Sequence, residues 1–292
     1  MKLSVIIPAH KEPYLQKTID SLLSNSELGG DLEVIAVLDG SSERIEQATR
    51  VKVIELNPQR GMRAAINTGI HFAKGKYFLK VDAHCAFALG FDRAMVENCE
   101  DNWLVIPRRY SLDEEKWERQ MDRPVRDYCY LAFPTLSKNG YAMTPHNYNP
   151  ERKNGDIDDL MTYQGSCWLA NKNEFMRRVG FMDDRPQTYG SFASEMLEVG
   201  LKYWLGGGQV KVNKKTWYAH LAKMKRHMRE GIFTWDYKAA VRNRGHFTWA
   251  ARHWINNEEP AMVHPFSWLI EKFSPVPTWP EDRNLWRLDN DT

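Results

Sequence analysis

Asp82 and His84 stand one residue apart at the end of an apolar run, Tyr77-Phe78-Leu79-Lys80-Val81. A carboxylate and an imidazole at that spacing can share one divalent ion. At a strand end, residues i and i+2 point the same way, so both side chains reach one face. Carboxylate oxygen suits hard ions such as Mg²⁺ or Mn²⁺, and an added imidazole moves the preference toward Mn²⁺. Acids and histidines also cap segments, so the triplet draws its weight from the pattern it closes.

That pattern opens at Leu3-Ser4-Val5-Ile6-Ile7-Pro8, a short apolar run stopped by proline, which reads as a buried strand. Leu15, Ile19, Leu22 and Leu23 recur at helical spacing within residues 13–24. Residues 32–38 and 51–54 read as further strands, 62–73 as a helix and 76–81 as a fourth strand. Strands alternating with helices predict an α/β fold with right-handed crossovers and a parallel sheet. In such sheets ligands sit outside the carboxyl ends of the strands. Pro8, Asp39 and Asp82 all fall at those ends and are expected to line one crevice.

The joint order Val5-Ile6-Ile7-Pro8, Val37-Leu38-Asp39-Gly40-Ser41, Arg60-Gly61 with Asn67-x-Gly69, Ala73-x-Gly75-x-Tyr77 and Asp82-x-His84 resembles the nucleotide-sugar half of family 2-type glycosyltransferases, over roughly the first 90 residues. Most such enzymes carry Asp-x-Asp. The Asp82-x-His84-Cys85 form is similar to the polypeptide N-acetylgalactosaminyltransferases. The resemblance implies a GT-A fold, a Rossmann-like and mostly parallel sheet flanked by helices. It also implies transfer of a hexosyl or N-acetylhexosaminyl group from a UDP-sugar. Asp39 would then contact the base, with Pro8 in the same crevice and Arg60 or Arg63 near the nucleotide. Asp82 and His84 would hold Mn²⁺, or Mg²⁺, on the diphosphate.

Further along, Gln164-Gly165-Ser166-Cys167-Trp168-Leu169-Ala170 precedes a helical stretch at 172–179, followed by Gly180-Phe181-Met182-Asp183, Glu195-Met196-Leu197-Glu198 and Lys202-x-Trp204-x-Gly206-Gly207-Gly208. The same enzymes keep this order, and it places Gly165 with the donor-binding positions. Inverting members read Glu-Asp at Glu195-Met196 and use the Asp as general base. A thioether cannot accept a proton, so the resemblance implies retention at the anomeric carbon. Glu195 and Asp82 are then the catalytic residues, Glu195 touching sugar hydroxyls, with Glu198 as a supporting partner. Thr216-Trp217-Tyr218-Ala219-His220 fits a strand end, and His220 matches the late histidine that completes the metal site.

With 292 residues, 42% of them hydrophobic, the chain can bury one sizeable α/β core. The first strand begins at Leu3, leaving no room for a signal peptide, and no run approaches the roughly 18 apolar residues of a membrane span. Cys85, Cys99, Cys129 and Cys167 form no zinc-type pairs, so a reducing cytoplasm, the host's if the source is viral, is the expectation. No obligate protein partner is implied. Charge is uneven: residues 202–254 hold twelve Lys or Arg against two acids, a balance of +10, so the remainder of this +2 chain is −8. Within that stretch Lys225 and Arg226 are expected to face the donor diphosphate. The surplus, interleaved with Trp217, Trp235, Trp249 and Trp254, matches the footprint of a nucleic-acid surface.

Residues 1–222 are expected to form the catalytic domain, with 223–292 as a basic, aromatic-rich helical and extended appendage packed on it. Such compact enzymes resemble glycosyltransferases of bacterial DNA viruses, some of which decorate hydroxymethylated pyrimidines in DNA. That resemblance implies a DNA acceptor, against a polysaccharide or protein hydroxyl. A nucleotidyltransferase would carry a glycine- and lysine- or arginine-rich loop after the first strand, where this chain has His10-Lys11-Glu12-Pro13. A non-catalytic binding module would need a broken metal site, yet Asp82, His84 and His220 are all present.

Overall fold

Leu3–Ala9 (β1) is enclosed along its whole length, as an apolar run must be when both faces of a sheet are covered. The computed structural model describes residues 1–46, 48–138, 140, 142–150, 155–222, 244–286 and 288. After β1 come α1 (Leu15–Ser24), β2 (Leu32–Asp39), β3 (Val51–Leu56), α2 (Met62–Phe72) and β4 (Tyr77–Val81). β1 runs parallel to β2 and to β4, and β2 runs parallel to β3. Leu15, Thr18, Ile19 and Leu22 form the buried stripe of α1. At Gly69 a Cβ would fall 2.2 Å from Ile6 Cγ2, so glycine is what lets α2 settle onto β1.

The second half begins with β5 (Cys85–Phe87), α3 (Phe91–Glu97), β6 (Trp103–Asp113), β7 (Glu118–Arg119), β8 (Cys129–Leu131), β9 (Pro145–Asn147), β10 (Ile157–Asp159) and β11 (Cys167–Asn171). It continues through α4 (Lys172–Arg178), a π-helical turn Met196–Gly200, α5 (Leu201–Leu205), β12 (Gln209–His220), α6 (Arg244–Ile255) and α7 (Phe266–Lys272). The main sheet is ordered β10-β12-β6-β11-β4-β1-β2-β3, with β5 on β12 and β7 on β6. The expected parallel order holds over β3-β2-β1-β4. Beyond β4 the sheet is mixed, because β11 runs antiparallel to both β4 and β6. Cys167 pairs with Val81, so β11 starts at the carboxyl end of β4 and runs back, which leaves Gly165 at the crevice.

Side chains alternate across β1. Ile6 joins one core cluster while Val5 and Ile7 join the other. Trp254, Leu269, Ile270 and Trp279 share the first cluster with Trp168 and Trp204. Trp279 Nε1 also donates to Leu131 O (2.7 Å), so the described C-terminal residues lie on the same core. All four cysteines are free thiols. Among the described residues, no helix is long and apolar enough to cross a membrane.

Candidate functional site

Asp82 follows β4, and its amide donates to Ser166 O just ahead of β11 (2.8 Å). His220 ends β12 and pairs across to Cys85. That register sets its ring beside His84, with centroids 4.7 Å apart. One ligand atom from each of Asp82, His84 and His220 lies within 4.8 Å of the other two. A carboxylate with two imidazoles suits a borderline divalent ion such as Mn²⁺, provided that the histidines are neutral. Burial, with help from His84 and Arg109, holds His220 down to about 3 against the pull of Asp82. Burial alone would raise Asp82, but the Lys80 ammonium and the His220 contact keep its carboxyl well below the usual range. The residues present therefore fit a divalent ion.

Each ligand is braced. Glu12 Oε2 lies 3.2 Å from His84 Nδ1. Arg109 Nη2 lies 3.1 Å from His220 Nδ1, and a guanidinium can only donate. His220 Nδ1 is thus an acceptor, and the neutral ring carries its proton on Nε2, 3.2 Å from Asp82 Oδ2. A ring that holds an ion through Nε2 must carry its proton on Nδ1, so ion binding at His220 displaces the Arg109 contact, whereas a partner such as Glu12 orients His84 as metal ligands are commonly oriented. Neither Glu12 nor Arg109 is visible from sequence spacing, since Glu12 follows β1 and Arg109 lies within β6.

Lys80 is the larger omission of the sequence reading. It is 1% exposed in a strand otherwise made of apolar residues. Its Nζ donates to Asp82 Oδ1 (2.6 Å) and Gly165 O (2.7 Å) and lies 2.9 Å from Glu195 Oε1. Burial disfavours the ammonium, but the two carboxylates outweigh it and raise its pKa. A lone lysine inside an apolar strand was the available signal.

Glu195 is 4% exposed, and a Cβ on Gly165 would sit 2.5 Å from its Oε2. Glycine is needed there for close approach. Ala193 and Ser194 precede it, both at φ 64°, a left-handed conformation that costs energy for residues with a Cβ. The π-helical turn Met196–Gly200 follows, and such turns recur at functional sites. Arg63 secures the segment. It donates to Ala193 O (2.6 Å) and Asp183 O (2.9 Å) and pairs with Glu198. Lys202 Nζ also donates to Glu198 (2.9 Å).

Several expectations are corrected. Arg63 is fully enclosed, so it anchors the 193–198 segment and has no open face toward a nucleotide. Asp39 ends β2 but is 3% exposed. Its two carboxylate oxygens accept the amides of Arg60 (2.6 Å) and Gly61 (2.8 Å), which holds that loop. Arg60 itself is exposed on the loop, and Pro8 is enclosed within β1. Lys225, Arg226 and Trp235 lie outside the described residues. Of the other tryptophans in the basic stretch, Trp254 is fully buried and donates to Tyr189 OH (2.9 Å). Trp249 stacks on His253 against the core, and Trp217 lies under Arg119. Lys202, Lys211 and Lys214 are each paired to an acid. Three of the six described cations of the stretch are thus each paired to an acid outside it.

The sequence profile of Glycosyl transferase family 2 matches residues 4–177. Polypeptide N-acetylgalactosaminyltransferase 8 of Drosophila melanogaster is 25% identical over 225 residues, covering 71% of this chain and 36% of the relative. The uncharacterized glycosyltransferase EpsJ of Bacillus subtilis is 32% identical over 112 residues, covering 35% and 32%. The chain thus spans about a third of the length of these curated relatives. A crystal structure of GalNAc-T7 with UDP, GalNAc and Mn²⁺ matches with a TM-score of 0.67 at 17% identity, over 94% of this chain and 57% of that one. S. aureus TarS in complex with UDP-GlcNAc matches with a TM-score of 0.52 at 14% identity, over 78% and 61%. At these identities the likeness shows the fold, which is GT-A as expected.

Proposed function

Because the chain belongs to glycosyl transferase family 2, we propose that it is a metal-dependent glycosyltransferase that moves a sugar from a UDP-type donor to an acceptor hydroxyl. The observation that carries the reading is the convergence of Asp82, His84 and His220 within 4.8 Å at the carboxyl edge of the sheet. The UDP held in the GalNAc-T7 and TarS structures supports the donor class.

A bound divalent ion supplies positive charge to the departing diphosphate, the largest contribution available to such a reaction. The chain does the rest. Lys80 fixes the angle of Asp82 and offsets its charge. Glu12 orients the His84 imidazole. Arg60 stands exposed on the loop that Asp39 anchors and approaches the nucleotide. Glu195, held under Gly165 and against Lys80, orients sugar hydroxyls. Met196 offers no base, which supports retention: the acceptor attacks the face that the diphosphate leaves, and a leaving-group oxygen takes the proton.

As acceptor we assign a hydroxymethylated pyrimidine in DNA, with residues 1–222 as the catalytic domain, 223–292 packed on it, and a cytoplasmic setting. Its support is the +10 balance over 202–254; six of the twelve cations concerned lie outside the described residues. A duplex base is reached only once its nucleotide leaves the stack. The test is incubation with UDP-sugars and Mn²⁺, in water and with DNA, glycan or peptide acceptors. Slow UDP release in water, lost in EDTA, is expected, together with transfer to hydroxymethylated DNA that weakens steeply with salt. Release indifferent to EDTA contradicts the metal site. Transfer to a glycan or peptide alone overturns the DNA acceptor, and an inverted linkage from a UDP-α-sugar overturns retention.

A further inference from the structure

The two histidines of the ion-holding triad are partnered in opposite ways. His84 Nδ1 lies 3.2 Å from Glu12 Oε2, and an ionised carboxylate only accepts. The His84 proton therefore sits on Nδ1 and the lone pair on Nε2. His220 Nδ1 lies 3.1 Å from Arg109 Nη2, which only donates. Its lone pair is on Nδ1 and its proton on Nε2, 3.2 Å from Asp82 Oδ2. The hydrogen bond at one ring nitrogen decides what the other can do, so Glu12 prepares His84 as a ligand while Arg109 does the reverse to His220.

Nε2 is the atom of His220 that faces Asp82, and an ion shared with Asp82 needs a lone pair there. Arg109 is firmly set against that. It is 8% exposed within β6, and its backbone O accepts the Arg126 amide (3.0 Å). Its Nη1 donates to Gln164 Oε1. Donation thus runs one way from Gln164 toward the ion site: Arg109 gives to both Gln164 and His220, and His220 gives to Asp82.

We propose that Arg109 is a positioning residue that opposes the ion, holding His220 in the Nε2–H tautomer and so lowering the affinity of the triad for a divalent cation. The proposal rests on the reading of Asp82, His84 and His220 as an ion site. Ion binding moves the single ring proton from Nε2 to Nδ1, with no net proton released. The bonds of His220 to Asp82 and Arg109 are lost, and Arg109 is left with Gln164. An outer partner that supports a metal ligand weakens the site when it is removed. Arg109 carries the opposite sign, a direction that a merely structural role does not predict.

The test is Mn²⁺ binding by the whole chain and by Arg109→Gln, followed by electron paramagnetic resonance of the free ion, with thermal melts in parallel. A glutamine amide can turn to accept from Nδ1–H, which a guanidinium cannot do. Arg109→Gln is expected to bind Mn²⁺ about tenfold more tightly than wild type, the scale on which outer partners act. Equal or weaker binding overturns the proposal. A second measurement needs no variant of Arg109: nitrogen-15 spectra of the His220 ring, identified by their loss in His220→Ala, in EDTA and with saturating Mg²⁺. Nε2–H in EDTA and Nδ1–H with Mg²⁺ are expected; Nδ1–H under both conditions overturns the proposal. Failure of the ion reading shows separately, as no Mn²⁺ uptake by either chain, and takes the proposal with it.

Discussion

Lys80 and Arg63 are both enclosed cations facing carboxylates, yet they end in different places. Lys80 is a point charge set between Asp82, Glu195 and a carbonyl at the crevice. Arg63 is a planar fork that spans Glu198 and two carbonyls and lies over the Tyr189 ring at 4.9 Å. The first adjusts groups that meet ligand, and the second holds the backbone that presents one of them. Burial of a charge therefore does not mark a functional group; what it faces does.

Removing each cation sharpens this contrast. Taking one member from a buried pair costs about 3–5 kcal/mol, because the partner is left uncompensated. Lys80→Met and Arg63→Met should both lower the denaturation midpoint by amounts in that range. They should part in function. Lys80→Met is expected to lose about 100-fold in donor turnover and to change Mn²⁺ affinity, as loss of an outer-sphere partner does. Arg63→Met should leave Mn²⁺ affinity intact and lower turnover by less, through a displaced Glu195. Equal Mn²⁺ affinities in the two variants would erase the distinction.

Gly165→Ala probes the Lys80 side without touching a charge. The new Cβ would stand 2.5 Å from Glu195 Oε2, so the carboxylate must shift, and a misplacement near 1 Å can cost up to about 100-fold. A kcat loss with unchanged Mn²⁺ affinity is expected; unchanged kcat would mean that Glu195 does not meet the sugar. Tyr189→Phe makes the smallest change. It keeps the ring beneath Arg63 but removes the acceptor of the Trp254 N–H and the hydroxyl that donates to Leu197 O (3.4 Å), at about 1–3 kcal/mol. Stability should fall by that amount with kcat untouched; a kcat effect would place Tyr189 nearer the chemistry than its packing implies.

The parallel half was legible because buried parallel strands read as unbroken apolar runs, and Asp82, His84 and His220 because strand ends gather at one edge. Arg63 was misplaced for a physical reason. Position after a strand says which end of the sheet a residue occupies, but not whether its side chain turns outward. Arg63, in the first turn of α2, points into the core. The π-helical turn and the left-handed Ala193-Ser194 pair left no pattern, since tertiary contacts impose them. Arg109, Thr162 and Tyr163 carry buried polar atoms without a partner where β6 meets the segment between β10 and β11, far apart in sequence.

The central claim, one divalent ion held by Asp82, His84 and His220 for a nucleotide diphosphate, is tested most directly by following free Mn²⁺ by electron paramagnetic resonance. Wild-type, Asp82→Ala and His220→Ala chains would be titrated with and without UDP. The account predicts one ion per wild-type chain, bound more tightly when UDP is present, and loss of that binding in both variants. Undiminished Mn²⁺ uptake by Asp82→Ala, or UDP binding equally tight in excess EDTA, would contradict it.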